Sequence, residues 1–303
     1  PRVTMVFSDE NINFENAGVM DLGNGDYVVV AQGLTNWIAP GVVFGNTYLH
    51  YAYFTRGNRE PAAYGTQDTH NIANLRPHLV VAGPYLAVYS GTNTISVRSF
   101  SASLMRPVVG YDITTTVACA NRKNIDLSWD PVAQRLLVVD ASGAFWLIDP
   151  VTNPSSWALV RSGTFSALSP TNGTIGVAQA STISVRGRTY IAYRSGSTWR
   201  CAVWRINDTE AVQETAPFDI FTTVGALSDP VYTMWQASVT AVEGAAVTSE
   251  PNVAAICVWQ DHYATDGNLA TGVVVMANPT GLLARNAHGF DMFSAVPAAK
   301  PLL

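Results

Sequence analysis

Residues 126–149 read DLSWDPVAQRLLVVDASGAFWLID, and three short apolar runs in that stretch decide the fold. DLSW (126–129) and RLLVVDA (135–141) flank the turn DPVAQ (130–134), and Ser142-Gly143 then leads into AFWLID (144–149). Runs of this length, rich in Val, Leu, Ile and aromatics and cut by Pro, Gly, Asp and Ser, read as strands joined by tight turns. The stretch therefore predicts a three-stranded antiparallel meander. The same plan recurs over His78–Phe100 (HLVVA, Gly-Pro, YLAVYS, GTNT, ISVRSF) and Thr182–Ile206 (TISV, Arg-Gly, RTYIAYR, SGST, WRCAVWRI). Two looser copies flank these. AGVMDL and DYVVVAQ enclose Gly23-Asn24-Gly25, a hairpin signal because Asn-Gly tolerates the positive φ of a two-residue turn. PNVAAICVWQ, the loop DHYATDGNLA and TGVVVMA form the last copy. No window of helical length carries a 3.6-residue apolar stripe, so the chain is all-β.

Aligned on the polar residue closing each middle strand, the copies are marked by Gln32, Ser90, Asp140, Arg194 and Gln260, spaced 58, 50, 54 and 66 residues apart. A repeat of roughly 40 to 50 residues or slightly more, each a small antiparallel sheet, is the signature of a β-propeller, whose blades bury both faces only by packing on neighbours. The middle strands are the most continuously apolar, as blades sandwiched on both faces require. Five to seven blades are expected, with five or six favoured. A sixth has two places to lie, Trp37–Phe54 or Phe218–Val242. The reading gives one propeller domain over residues 1–278. It leaves 279–303 as an irregular tail and lets the opening run RVTMVF supply the outer strand of the last blade.

The composition narrows the partners. Of 303 residues, 48% are hydrophobic and 13% charged, about half the usual share of charge. Net charge is -5, and the 17 basic residues are scattered singly, which excludes the clustered patch that nucleic acid needs. The longest apolar runs are broken well short of the roughly 20 residues of a membrane span, and no n-region with an h-region begins the sequence. Cys119, Cys201 and Cys257 are an odd set without metal spacing and read as buried free thiols. A first residue of Pro1 fits loss of an initiator Met, giving the expectation of a chain made in the cytoplasm, with secretion as the alternative. The five histidines show no zinc-ligand spacing.

NAGVMDLGNGDYVVVAQ resembles the blade opening of sialidase-type and related glycosidase propellers. AYRSGSTW (192–199) resembles a degenerate Asp-box, S/T-x-D-x-G-x-T-W. Gly196, Thr198 and Trp199 match, while Ala192 stands for the Ser/Thr and Arg194 for the Asp. The resemblance implies the propeller fold. A furanosidase-like site would further imply a pair of axial carboxylates.

Candidates for such a pair are Asp9 with Glu10, Asp21, Asp126 with Asp130, and Asp229, whose competing reading is turn chemistry, as in Asp130-Pro131. The stretch Asp261 to Asn268 concentrates oxygen ligands in a connection longer than a hairpin needs, so Asp261, Asp266 and Asn268 are candidate Ca²⁺ ligands. Trp37, Trp199, His262 and Tyr263 are candidate ligand-binding residues, since aromatics at turns and strand ends stack on sugars or anchor interfaces. Low charge, two lysines against fifteen arginines, free thiols and Thr/Ser/Ala/Val richness suit a subunit of a virus-like particle. The expected function is a non-enzymatic propeller in a phage or phage-like tail or spike. Such a part would oligomerise or dock on other structural proteins or cell-surface glycans. The alternative is a glycoside hydrolase or lyase.

Overall fold

The computed structural model of the chain describes residues 12–35, 37–39, 42–43, 47–70, 79–91, 93–115, 125–140, 143–150, 156–165, 180–185, 187–195, 198–222, 233–241, 254–264, 267–278 and 281–291. Every regular element among them is a strand, and the strands form five consecutive antiparallel meanders plus one small hairpin. Sheet 1 takes β1 (Ile12–Gly23), β2 (Asp26–Thr35), β5 (Thr47–Phe54) and β6 (Ala63–His70), with the hairpin β3 (Trp37–Ala39) and β4 (Val42–Val43) inserted between its second and third strands. Sheet 2 is β7 (Leu79–Ala82), β8 (Tyr85–Gly91), β9 (Thr94–Ser101) and β10 (Arg106–Thr114). Sheet 3 is β11 (Asp126–Asp130), β12 (Arg135–Val139), β13 (Ala144–Asp149) and β14 (Ala158–Thr164). Sheet 4 is β15 (Ala180–Val185), β16 (Arg188–Ser195) and β17 (Thr198–Ile206), completed by β18 (Ala211–Gln213) and β19 (Phe218–Thr222). Sheet 5 is β20 (Thr233–Ala241), β21 (Ala254–Ala264), β22 (Gly267–Asn278) and β23 (Gly281–Asp291). Successive four-stranded meanders of this kind are the blades of a β-propeller.

The aligned markers all fall at one place in the repeat. Gln32 lies in β2, Ser90 in β8, Arg194 in β16 and Gln260 in β21, while Asp140 directly follows β12. Each lies in the last part of a second strand or directly after it, so the sequence repeat is the structural repeat. In sheets 1 to 4 the second strands are deeply buried: Val28, Val30, Leu86, Ala87, Val88, Leu136, Leu137, Val138 and Tyr190 are all at 0% exposure. Sheets 1 and 2 share a core in which Met20, Val28, Val30, Leu49, Tyr51 and Tyr53 pack on Leu79, Leu86 and Val88. The expected hairpin is present as well. Gly23 pairs with Asp26 across Asn24 and Gly25, both at positive φ (58° and 82°), which is the type I′ turn that Asn-Gly favours.

Three expectations change. Each copy has a fourth strand that its sequence hardly announces, because β14 is mostly exposed and β10 only partly buried, so neither needs a continuous apolar pattern. The two places proposed for a sixth blade are used otherwise: β5 is the third strand of sheet 1, β19 completes sheet 4 and β20 opens sheet 5. Within the stretch 279–303, expected to be irregular, Gly281–Asp291 forms β23 on β22. That strand is the fourth of sheet 5, the place expected for RVTMVF, which lies outside the described residues. The backbone ladder decides β23, since its sequence alternates little. The chain divides into two compact units, Pro1–Trp129 with Gln134–Asp140 and Ile148–Ser162, and Asp130–Ala133 with Ala141–Leu147 and Gly163–Leu303.

Candidate functional site

The ligand-binding candidates fall at one kind of place, the connection between second and third strands of their own sheets. Trp37 opens β3, Trp199 is the second residue of β17, and His262 and Tyr263 lie near the end of β21. The degenerate Asp-box runs through that same connection in sheet 4, with Arg194 paired to Trp199 and Ser195 to Thr198. The long loop expected from Asp261 to Asn268 is instead the tip of a hairpin. Asp261 pairs with Ala270, His262 with Leu269 and Tyr263 with Asn268, and the ladder runs on to Ala264 and Gly267. Asp, Asn and Gly there read as loop residues, yet backbone pairing to β22 and β20 carries the strand through them. Asp266 lies outside the described residues, as do Asp9, Glu10, Asp229 and Cys119. The second strands of sheets 1 and 5 run three and four residues past their markers, to Thr35 and Ala264, whereas β8 and β16 stop one residue past theirs. Trp37 follows the first of these extensions, and His262 and Tyr263 lie within the second.

Two of the candidate carboxylates, Asp130 and Asp21, do structural work. Asp130, 1% exposed, closes β11: its Oδ1 accepts from the Val132 and Ala133 amides (3.0 and 2.9 Å) and its Oδ2 from the Gly187 amide (2.7 Å). One buried side chain thus forms its own turn and fastens the β15–β16 turn of the next sheet. Sheets 1 and 2 are joined at the equivalent place through the backbone, where the Asp21 amide donates to the Gly83 carbonyl at 3.0 Å. The Asp21 carboxylate is exposed and accepts from the Gly23 amide at 2.9 Å, an Asx turn. Asp126 stands at the amino end of β11 and Asp21 near the carboxyl end of β1. First strands of successive blades run in the same sense along a propeller, so these two positions belong to opposite ends. Buried Asp149 pairs with Arg135 at 3.3 Å. Among the described residues no group of three or more His, Cys, Asp or Glu is placed to hold a metal. Cys201 is a buried free thiol whose ionisation burial pushes far up, which leaves it inert.

Trp129 and Trp157 belong to one aromatic cluster. Tyr85 meets Trp129 and Trp157 edge-on, with centroids 4.9 and 5.5 Å apart. Trp157 lies flat on Gly110, where a Cβ would come within 2.3 Å of the indole, so only glycine fits the bulge of β10. Burial and then the charge of Asp149 raise the Tyr85 hydroxyl above its ordinary value, so it stays a neutral phenol.

Two features were invisible in the sequence. The fourth strands of sheets 1 to 4 each present one exposed large apolar side chain: Tyr64 (60%), Val109 (51%), Leu159 (44%) and Val212 (51%). Single exposed apolar residues are ordinary, but these recur at one place in the repeat, Tyr64, Val109 and Leu159 in one compact unit and Val212 in the other. The other feature is Arg98 of β9, 7% exposed in the middle of the apolar run ISVRSF. Its Nη1 donates to Gln67 Oε1 at 2.9 Å and its Nε to Ser96 Oγ at 3.3 Å, both neutral partners. The only sequence signal for it was a charge where alternation expects burial.

No family model matches the chain. No curated protein matches it. Among solved structures it is similar to AofleA from Arthrobotrys oligospora, at 12% identity and a TM-score of 0.49 over 91% of this chain and 72% of that one. It is also similar to the β-propeller domain of Nup133 from Vanderwaltozyma polyspora, at 6% identity and a TM-score of 0.48 over 96% and 77%. A third similar structure is BamB from Moraxella catarrhalis, at 12% identity and a TM-score of 0.41 over 91% of each chain. Similarity of this degree concerns strand arrangement only, and the fold class rests on the five four-stranded meanders themselves.

Proposed function

We propose that the protein is a non-enzymatic β-propeller that serves as a recognition and docking component of a larger assembly. The assembly its composition suits is a phage or phage-like particle, as a tail or spike subunit. Its counterparts are other structural subunits and surface glycans. The observation that carries the reading is the exposed apolar residue on four successive outer strands, Tyr64, Val109, Leu159 and Val212, in a chain with only 13% charged residues. Such positions gain free energy when covered, and a surface with few charges loses little by desolvation. The engagement of Asp130, Asp149 and Glu214 by amide and arginine donors also supports a binding rather than an acid/base role.

The test is mass by light scattering over a concentration series, run beside retention of co-expressed particle proteins on the immobilised chain. The expected result is association above the 32.5 kDa monomer, or retention, and its loss when Tyr64→Arg and Leu159→Arg are combined. A 32.5 kDa species at every concentration that retains nothing would overturn the reading.

A further inference from the structure

Arg98 is a buried cation with no anion in ion-pair contact among the described residues. Burial lowers its affinity for the proton, and only the more distant charge of Asp112, exposed on β10 and paired in the ladder with Ser96, acts the other way. Among the described residues no carboxylate lies within ion-pair distance of it. A buried guanidinium held only by neutral acceptors is costly, because desolvation is not offset by a counter-charge. The protein nonetheless fixes its orientation. Gln67 Nε2 donates to the Pro107 carbonyl at 2.7 Å, which turns Gln67 Oε1 toward Arg98 Nη1. The chain Pro107, Gln67, Arg98, Ser96 ties β6 of sheet 1 to β9 and β10 of sheet 2 within one compact unit. It uses one Nη1 hydrogen and the Nε hydrogen, so Nη2 and the second Nη1 hydrogen have no acceptor among the described residues. Those are the donors of the end-on fork that grips a carboxylate in two parallel hydrogen bonds. Val109, paired with Arg98 across the ladder, is 51% exposed, so the row that carries the guanidinium reaches water at the outer strand.

We infer that the seam between β6 and β10 is a carboxylate-binding site in which Arg98, oriented by Gln67, receives the carboxylate of an acidic sugar. This rests on the glycan-binding part of the proposed function. The guanidinium supplies a counter-charge and a planar fork, and Val109 supplies an apolar shoulder for the sugar ring.

The experiment is the thermal shift and titration of the whole chain with glucuronate and with polygalacturonate, against glucose and a neutral polysaccharide. Binding of both uronates with no response to glucose is expected, weakening at high salt. Arg98→Met keeps the buried stem and removes the fork, and is expected to lower uronate affinity at least about tenfold, the loss of one charge-assisted contact. Arg98→Lys keeps the charge but not the fork; it is expected to bind more weakly than the native chain and serves if the methionine variant does not fold. No uronate binding by the native chain, or undiminished binding by both variants, would overturn the inference. So would polyglutamate binding in place of the uronates. In any of these cases, continued binding of neutral glycans would leave the proposed function standing.

Discussion

Gln32 is fully buried in β2, and neither its Oε1 nor its Nε2 has a hydrogen-bond partner. It sits one layer beyond Val30, beside the Leu49 row of β5, where the apolar core of sheets 1 and 2 ends. An unsatisfied buried amide costs about 1–3 kcal/mol, and an apolar side chain of similar volume removes that cost. Gln32→Leu is therefore expected to raise the urea-unfolding free energy by about 1 kcal/mol. A loss of stability instead would show that the amide is satisfied in solution. The polar character of this position was legible in the sequence, since Gln32 was the first marker of the repeat. Its burial was not, because burial is set by what the neighbouring sheet lays over it. Arg98 and Asp130 escaped for the same reason: an arginine in a strand and an aspartate before proline look like surface and turn until the next sheet covers them.

Sheet 4 shows what holds an outer strand whose sequence is too polar to predict it. β18 pairs with Trp204, Arg205 and Ile206, and β19 with Thr198 to Cys201, so two short segments share the fourth place along β17. At the break, Glu214 and Thr215 donate their amides to the Val203 carbonyl, and the Val203 amide donates to Thr215 Oγ1. Ahead of β18, Asn207 Oδ1 accepts from the amides of Thr209 and Glu210 and the Thr209 hydroxyl, which fixes the turn. Glu214 then receives Arg188 Nε at 2.7 Å and the Arg205 guanidinium. Burial pushes the Glu214 carboxyl up, but hydrogen bonds and charge from the two arginines outweigh it and hold the group below its ordinary 4.5. A carboxyl depressed in the folded state contributes stability that is full above its unfolded value and lost as pH falls through the folded one. The native chain should accordingly lose about 1 kcal/mol more than Glu214→Gln as pH drops from neutrality to below 4.5, read from denaturant unfolding at each pH. Parallel pH curves for the two proteins would place the attachment of β18 elsewhere. The outer strands as a group were the least legible elements, because an exposed edge strand needs no apolar alternation.

Across the described residues, the repeat read from the sequence pattern is the repeat that the ladders trace, with five meanders and a marker in or directly after the last part of every second strand. Second strands are legible because both faces are buried, which forces continuous apolar runs. The candidate aromatics were legible as types, and the topology adds that Trp37, Trp199, His262 and Tyr263 share the second-to-third connection of their sheets. The chemistry of the chain was less legible than its fold, since carboxylates near turns read alike whether they hold amides or move protons. Binding without turnover is the central claim, and the direct measurement is a glycan-array screen of the purified chain run beside release of reducing sugar from the same polysaccharides. The account predicts bound glycans and no sugar released. Released sugar that disappears with Asp21→Asn or Asp126→Asn would contradict it.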